Sequence, residues 1–429
     1  MKAGGKRWFK LDNAAKLYPA VATGRWSSIF RLSAELTETV EPRRLQEAAE
    51  HTMRRFPSFQ VRLKKGFFWY YLEEIKTPIT VREDTGHPCL RFSRREENGF
   101  LLRVLYYKKR ISVEFFHVLT DGTGGLIFLK TLLGEYLRLS GRTVRYEQGV
   151  LDVSASPDPE ETRDVFNHMP LPRVRLSRKE SRAYHFEGHK ELPHTLNLIS
   201  ASMPCDRLLT EAHAHGATLT EYLTAVLLYA AYQDQNKRVR ALRRQKPLRV
   251  SVPVNMRRFY PSPTVRNFSS FINPGIDPRL GAYTFEEIVR NVHAFMQYSL
   301  NPKFLFAAIA TNVADEKKLP VRLSPLFLKN WVISGVYHRA GDRLVTTTLT
   351  NPGVFTLPPC MARYVAHAEM LLNTSEAPQC VCALLSYGNE ARLTFTDNIL
   401  EKTLPREALR FLVAQGIPVS VDSNQNEEE

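Results

Sequence analysis

The chain has 429 residues, 43% of them hydrophobic and 24% charged. That balance excludes a disordered polypeptide and leaves room for two or three domains. A surplus of 59 Lys and Arg over 44 Asp and Glu gives a formal charge of +15. Such a surplus draws polyanions: nucleic acid, coenzyme A, an acidic carrier protein or an anionic membrane surface. The densest basic runs, 173–182 and 238–246, come with no zinc-finger, RNP or KH signature, so nucleic acid is not expected as a partner. Five cysteines at 89, 205, 360, 380 and 382 make an odd set without framework spacing, which reads as free thiols in a reducing cytoplasm. The N-terminal stretch lacks the apolar segment of a signal peptide, and no apolar run reaches 18 residues, so neither secretion nor a membrane span is expected.

In chain order, Phe30, Leu32, Ala34 and Leu36 alternate with polar partners and predict a strand. Pro42 opens a helix that places Leu45, Ala49, Thr52 and Phe56 on one face. Phe59, Val61 and Leu63 alternate again, and Lys65-Gly66 predicts a hairpin turn before the aromatic strand FFWYYL. A second hairpin pairs 100–107 with 111–116. After it come HVLTDGTGG, read as a loop, and a helix carrying Leu126, Leu129, Leu133 and Tyr136.

Residues 152–182 are rich in proline and charge without periodicity and read as a crossover linker between an N-terminal lobe, 1–151, and a C-terminal lobe, 183–421. In the second lobe, Gly216 stops one helix, and Thr218 with Glu221 forms a capping-box pattern for the next. RVSVPV is a short strand. Thr284 and Glu287 cap a further helix with Ile288, Val292 and Phe295 expected inward, and 343–358 and 391–399 read as strands. Residues 422–429 are expected to be a disordered acidic tail.

Chemistry concentrates in the segment 115–122, FFHVLTDG. The alternation of Ile111, Val113 and Phe115 runs into His117, and the chain then breaks into glycines that leave room for a ligand to approach the backbone. A histidine there suits proton transfer, because its ordinary pKa lets it act as a neutral base at working pH. There is no G-x-S-x-G element and no Rossmann or Walker glycine pattern. His213 and His215 are two apart without companion ligands, so no metal is expected.

HVLTDG resembles the HxxxDG motif of the coenzyme A-dependent acyltransferase superfamily, which includes chloramphenicol acetyltransferase, the condensation domains of peptide synthetases and the bacterial alcohol acetyltransferase-like group. LDNAAKLYP, GATLTEYLTAVLLYA, SVPVNMRRFYPSPTVRNFSSF and LTNPGVFTLP resemble successive segments of that group, in order, so the likeness spans nearly the whole chain. It implies an α/β (α+β) fold of two chloramphenicol acetyltransferase-like lobes, each a mixed sheet with helices, around an active-site tunnel.

The same resemblance implies His117 as general base, Asp121 as a structural partner of an arginine from the second half, and Gly122 at the tunnel wall. Arg257 matches that arginine, although by itself it reads as one more surface arginine. Asn267 and Asn351 fall near the substrate channel and equally suit turns. The implied activity moves an acyl group, acetyl first, from acyl-coenzyme A as co-substrate to a hydroxyl or amine acceptor, with no permanently bound cofactor. Two alternatives are transfer from an acyl carrier protein to a lipid or polyketide hydroxyl, and a non-catalytic binding protein of the same fold. The chain departs from the condensation domains in having Phe116 where a second histidine is usual. It also lacks the late D-F-G-W-G of plant members.

Overall fold

The computed structural model describes residues 7–22, 27–92, 97–174, 176, 180–192, 195–317, 323–374 and 377–425. The first half contains β1 (Trp8–Lys10), α1 (Tyr18–Val21), β2 (Ile29–Leu36), α2 (Pro42–Arg55), β3 (Val61–Lys65), β4 (Tyr70–Glu74), β5 (Val81–Glu83), β6 (Leu102–Tyr107), β7 (Arg110–Phe116) and α3 (Gly122–Leu139). The second half begins with β8 (Asn197–Pro204), α4 (Cys205–Ala214), α5 (Leu219–Arg238), β9 (Leu248–Asn255), β10 (Ser269–Ile272), β11 (Gly275–Ile276), α6 (Phe285–Ser299) and α7 (Pro302–Lys317). It ends with α8 (Leu326–Ala340), β12 (Thr347–Thr350), α9 (Pro359–Ala362), β13 (Val365–Leu372), β14 (Cys380–Tyr387), β15 (Glu390–Asp397), α10 (Thr403–Ala414) and β16 (Ser420–Ser423).

Two mixed sheets carry the structure. The first has the order β13-β2-β7-β6-β5, antiparallel except for the parallel β5–β6 pair. The second runs β10-β9-β12-β14-β15-β8-β16, with β12 parallel to both β9 and β14. A small third sheet, β1-β4-β3, flanks the first half. One core packs α2 and α3 on the first sheet through Leu45, Ala49, Phe115, Phe128 and Leu132, and the other buries α5, α6 and α10 on the second. The capping boxes Thr218/Glu221 and Thr284/Glu287 form at α5 and α6 as the sequence pattern predicts.

The second half lends a strand to the first sheet. β13 lies late in the chain, yet it pairs antiparallel with β2 and forms an edge of the first sheet. Met370 and Ala368 on β13, Phe355 and Ala383 belong to the same core as Phe30 and Phe115. The boundary between 151 and 183 therefore does not anticipate that the first sheet is completed from the second half. The linker region is also packed: Val165, Phe166 and Met169 are buried in the second core, and Glu161 pairs with Arg55 of α2. Linker residues 175 and 177–179 lie outside the described residues.

Other departures have local causes. FFWYYL becomes a strand only at Tyr70, because Gly66 N bonds to Trp69 O and Phe67 and Phe68 occupy the hairpin tip. Phe295 is exposed. The buried stripe of α6 continues from Val292 to Met296, four residues on, leaving position 295 beside it. The strand expected over 343–358 is confined to Thr347–Thr350, since Pro352 has no N–H and Gly353 takes a positive φ of 99°. Asp422 and Ser423, assigned to the disordered tail, are the last residues of β16 and pair with Ser200 and Ile199 of β8. Residues 426–429 of that tail lie outside the described residues.

The halves also meet at Gly124 in the first turn of α3. A β-carbon there would lie 2.1 Å from Val265 O and 2.2 Å from Thr120 Oγ1, and that Oγ1 donates to the same carbonyl at 2.6 Å. Gly124→Ala is therefore expected to destabilise the fold by about 3 kcal/mol, the upper range of overpacking. A urea melt reads this, and an unchanged midpoint would show that the two halves can separate here without loss.

Candidate functional site

α3 begins earlier than the glycines suggest. Asp121 is its N-cap: extended backbone at φ −92°, ψ 179° lets Oδ1 accept from Gly124 N at 3.1 Å. TDGTGG is therefore cap and first helical turn, and not loop. The other oxygen, Oδ2, accepts from Arg257 Nη1 at 2.8 Å and from Phe268 N at 2.8 Å. One carboxylate thus starts a first-half helix and holds two groups of the second half, with both ionic side chains largely buried.

Arg257 follows β9 in a short 3-10 turn; Nη1 also reaches Asn255 Oδ1 at 3.3 Å, and the other donors go to backbone. Nε and Nη2 reach Thr264 O, and Nη2 also reaches Arg266 O at 2.7 Å. The planar guanidinium thereby fixes the course of residues 264–268, which cross the 117–124 segment of the first half. Thr264 Oγ1 and Val265 N bond to carbonyls of Arg163 and Glu161, tying the same segment to residues 161–163.

His117 follows β7 directly, and its N–H continues the ladder to Ser28 O at 2.9 Å. The ring stacks on Tyr18 at 4.5 Å between centroids and meets the Phe30 ring edge-on at 5.2 Å. Nδ1 lies 3.0 Å from Asn267 Oδ1. The neighbours of Asn267 orient its amide: Nδ2 sits 2.9 Å from His117 O and 3.3 Å from Asp12 Oδ2, both acceptors, so the NH2 group must face them and Oδ1 must face the imidazole. An amide oxygen only accepts, so the neutral ring carries its proton on Nδ1 and leaves Nε2 with a lone pair.

The electrostatics favour that neutral form. Burial pushes the His117 pKa below the ordinary histidine value, against the opposing pull of Asp121 and the Asn267 bond. Asp12 is fully buried, and burial lifts its carboxyl to about 6 although Arg266 lies 3.5 Å away. Burial, with the charges of Asp12 and Asp121, pushes the Tyr18 phenol far above its usual range, so it stays protonated.

The structure therefore gathers His117, Asp121, Arg257 and Asn267 in one network. Gly122 lies beside it, with the position of a β-carbon 3.6 Å from Met370 Cε and 4.0 Å from Pro352 Cβ. Asn351 stands apart as a turn residue: Oδ1 accepts from Gly353 N at 2.9 Å and Nδ2 donates to Thr220 at 3.0 Å. Its loop still approaches Gly122 through Pro352. The sequence reading assigned no role to Asp12, Tyr18, Thr120 or Arg266. Asp12 had one local signal, the Asx turn in which Oδ1 accepts from Ala15 N at 2.7 Å. Among the described residues no group of three or more His, Cys, Asp or Glu is arranged to hold a metal.

No sequence-family model and no curated protein match the chain. Solved structures do. The polyketide synthase associated protein 5 of Mycobacterium tuberculosis matches with a TM-score of 0.63 at 16% identity, covering 97% of this chain and 98% of that one. A trichothecene 15-O-acetyltransferase of Fusarium sporotrichioides matches at 0.60 and 11%, covering 96% and 95%. The starter condensation domain of rhizomide synthetase, solved with C8-CoA and Leu-SNAC, matches at 0.58 and 12%, covering 95% and 93%. The chain has the fold of condensation domains and chloramphenicol acetyltransferase-like acyltransferases, in agreement with the resemblance carried by HVLTDG.

Removing Arg257 leaves Asp121 as a buried carboxylate without its counter-charge and frees three carbonyl contacts. Arg257→Ala is expected to lower stability by about 3 kcal/mol. Arg257→Lys recovers only part of that, because a point charge cannot reach Asp121, Thr264 and Arg266 together. Chemical denaturation of both variants measures this, and equal stability of Arg257→Ala and wild type would remove the pair from its structural role.

Proposed function

We propose that the protein is an acyltransferase in which His117 Nε2 is the general base. The observation that carries this reading is the Asn267 bond, which commits Nδ1 to donation and leaves Nε2 free to accept. In the proposed step, Nε2 takes the proton of an acceptor hydroxyl or amine as the acceptor attacks the thioester carbonyl. The tetrahedral adduct then collapses, the C–S bond breaks, and the departing thiolate recovers a proton from the imidazolium. A thiolate is a competent leaving group, so the reaction requires no metal.

Acyl-coenzyme A is the proposed donor and a hydroxyl the proposed acceptor. Support comes from the +15 charge, which suits a phosphorylated donor, and from neighbours that include an O-acetyltransferase and a condensation domain solved with C8-CoA. The similarity to a polyketide synthase associated protein keeps a carrier-bound donor as the second reading. Arg257, Asp121 and Asn267 act in this scheme as positioning residues: they hold the ring that reacts.

Thiol release from acetyl-coenzyme A, with a panel of alcohols and amines, tests the proposal. Wild type is expected to show acceptor-dependent release, and His117→Ala is expected to lose it while keeping its circular dichroism and melting behaviour. Full activity in His117→Ala would overturn the mechanism. Release by wild type only from carrier-bound acyl groups would select the second reading.

Two further outcomes follow. Because burial lowers the His117 pKa, the base stays neutral further into acid than a free histidine. The acid limb of kcat/KM is therefore expected to lie below pH 6.5, with activity lost as pH falls through it. Asn267→Ala frees the ring to rotate and to change tautomer, and is expected to lower kcat by roughly 10- to 100-fold with a smaller change in KM. An acid limb above pH 6.5, or an unchanged kcat in Asn267→Ala, would contradict this role for the network.

A further inference from the structure

Helix α8 is built inside out. Its inward face carries Leu326, Lys329 and Asn330, and the polar members are used up against the β3–β4 hairpin. Lys329, only 4% exposed, donates to Phe68 O at 2.9 Å and lies 3.9 Å from the Trp69 ring centroid. Asn330 Nδ2 donates to Tyr70 OH at 2.8 Å, and Leu326 N bonds to Phe67 O. The outward face, at one- and four-residue spacings, is apolar: Phe327, Leu328, Trp331 and Val332 are all exposed, Trp331 by 76%. The hairpin tip extends this face with Phe67, 71% exposed, and Phe68, whose rings pack edge to face. Such a contiguous apolar surface marks an interaction site.

We propose that this surface seats the protein on an anionic lipid bilayer. Three features favour a bilayer over a protein partner. First, the exposed side chains at the hairpin tip and along the helix include four aromatics, Phe67, Phe68, Phe327 and Trp331, the composition that suits the headgroup region. Second, apart from the Trp331 indole N–H, the outward side chains Phe327, Leu328, Trp331 and Val332 offer no hydrogen-bonding group, whereas protein interfaces carry a regular complement of such bonds.

Third, the charge nearest the hairpin tip is basic: Lys64 and Lys65 precede Gly66, whereas Arg62, further along β3, is matched by Glu73 of β4, and 323–340 contains no Asp or Glu. Lys16 lies over the Trp69 ring of the hairpin, 5.2 Å from its centroid. Basic side chains around an apolar, Trp-containing face match a negatively charged bilayer. They also repel a second copy of this +15 chain.

The patch is close to the site. α8 packs on α1, and Tyr18 of α1 stacks on the His117 ring. A membrane-seated α8 would bring the His117 region to the bilayer surface and suit an acceptor that resides there. That use rests on the acyl-transfer reading, whereas the docking itself does not.

Vesicle flotation tests it with the full chain. Wild type is expected to float with equimolar phosphatidylcholine–phosphatidylglycerol vesicles, more weakly with phosphatidylcholine alone and more weakly in high salt. The double variant Phe67→Ser/Trp331→Ser changes two highly exposed side chains, so folding and thiol release from a water-soluble acceptor are expected to persist. Its vesicle affinity is expected to fall by at least about tenfold. Absence of wild-type binding to either vesicle would overturn the proposal. So would a double variant that binds as tightly as wild type, or one whose change appears only as loss of a self-associated species or of binding to an acyl carrier protein. Because flotation requires no turnover, its result stands whether or not His117 is catalytic.

Discussion

The carboxylate of Asp121 is the point on which the two halves close. With one oxygen it caps α3, and with the other it holds the Arg257 guanidinium and the Phe268 amide. A buried carboxylate is tolerable only when its lone pairs are filled and its charge is matched, and here the partners come from both halves. The consequence is positional. Arg257 orders residues 264–268, and within that stretch Asn267 reaches His117. The orientation of the histidine ring is thus set by a chain of contacts that begins at the end of α3 and returns through the second half.

The same arrangement explains why His117 is held neutral. Burial between Tyr18, Phe30 and Asn267 disfavours the imidazolium more strongly than the negative charge of Asp121 favours it. Asp121 spends its charge on Arg257 and backbone N–H groups and makes no hydrogen bond to the imidazole among the contacts described for it. Contact with the ring falls instead to an uncharged amide, which fixes its direction; that bond favours the charged form, but burial outweighs it. Asp12, with its carboxyl lifted to about 6, stands behind that amide and turns its NH2 group the right way.

Much of this was legible in sequence because it is local. The alternation in β2 and β7, the capping boxes of α5 and α6, and the HxxxDG pattern each depend on residues a few positions apart. The resemblance also named Arg257, and the two side chains meet at 2.8 Å. What stayed hidden is long-range. No periodicity indicates that β13 joins the first sheet, since both sheets accept the same alternating apolar strand. Asp12 lies 255 positions from Asn267, and nothing near it in sequence reports that distance. Aromatic residues mislead in the opposite way. Phe67 and Phe68 read as part of a strand and Phe295 as inward-facing, and the structure leaves all three exposed, because hydrophobicity says nothing about which side of an element a neighbour covers.

The most direct test of the central claim, that the network presents His117 as a neutral base through Nε2, is the tautomer itself. Nitrogen-15 resonances of labelled histidine, assigned through His117→Gln, distinguish a protonated ring nitrogen from one with a lone pair. At neutral pH the expected result is a protonated Nδ1 and an unprotonated Nε2 for His117, with that preference lost in Asn267→Ala. A His117 ring protonated on Nε2, or a charged imidazolium at neutral pH, would contradict it.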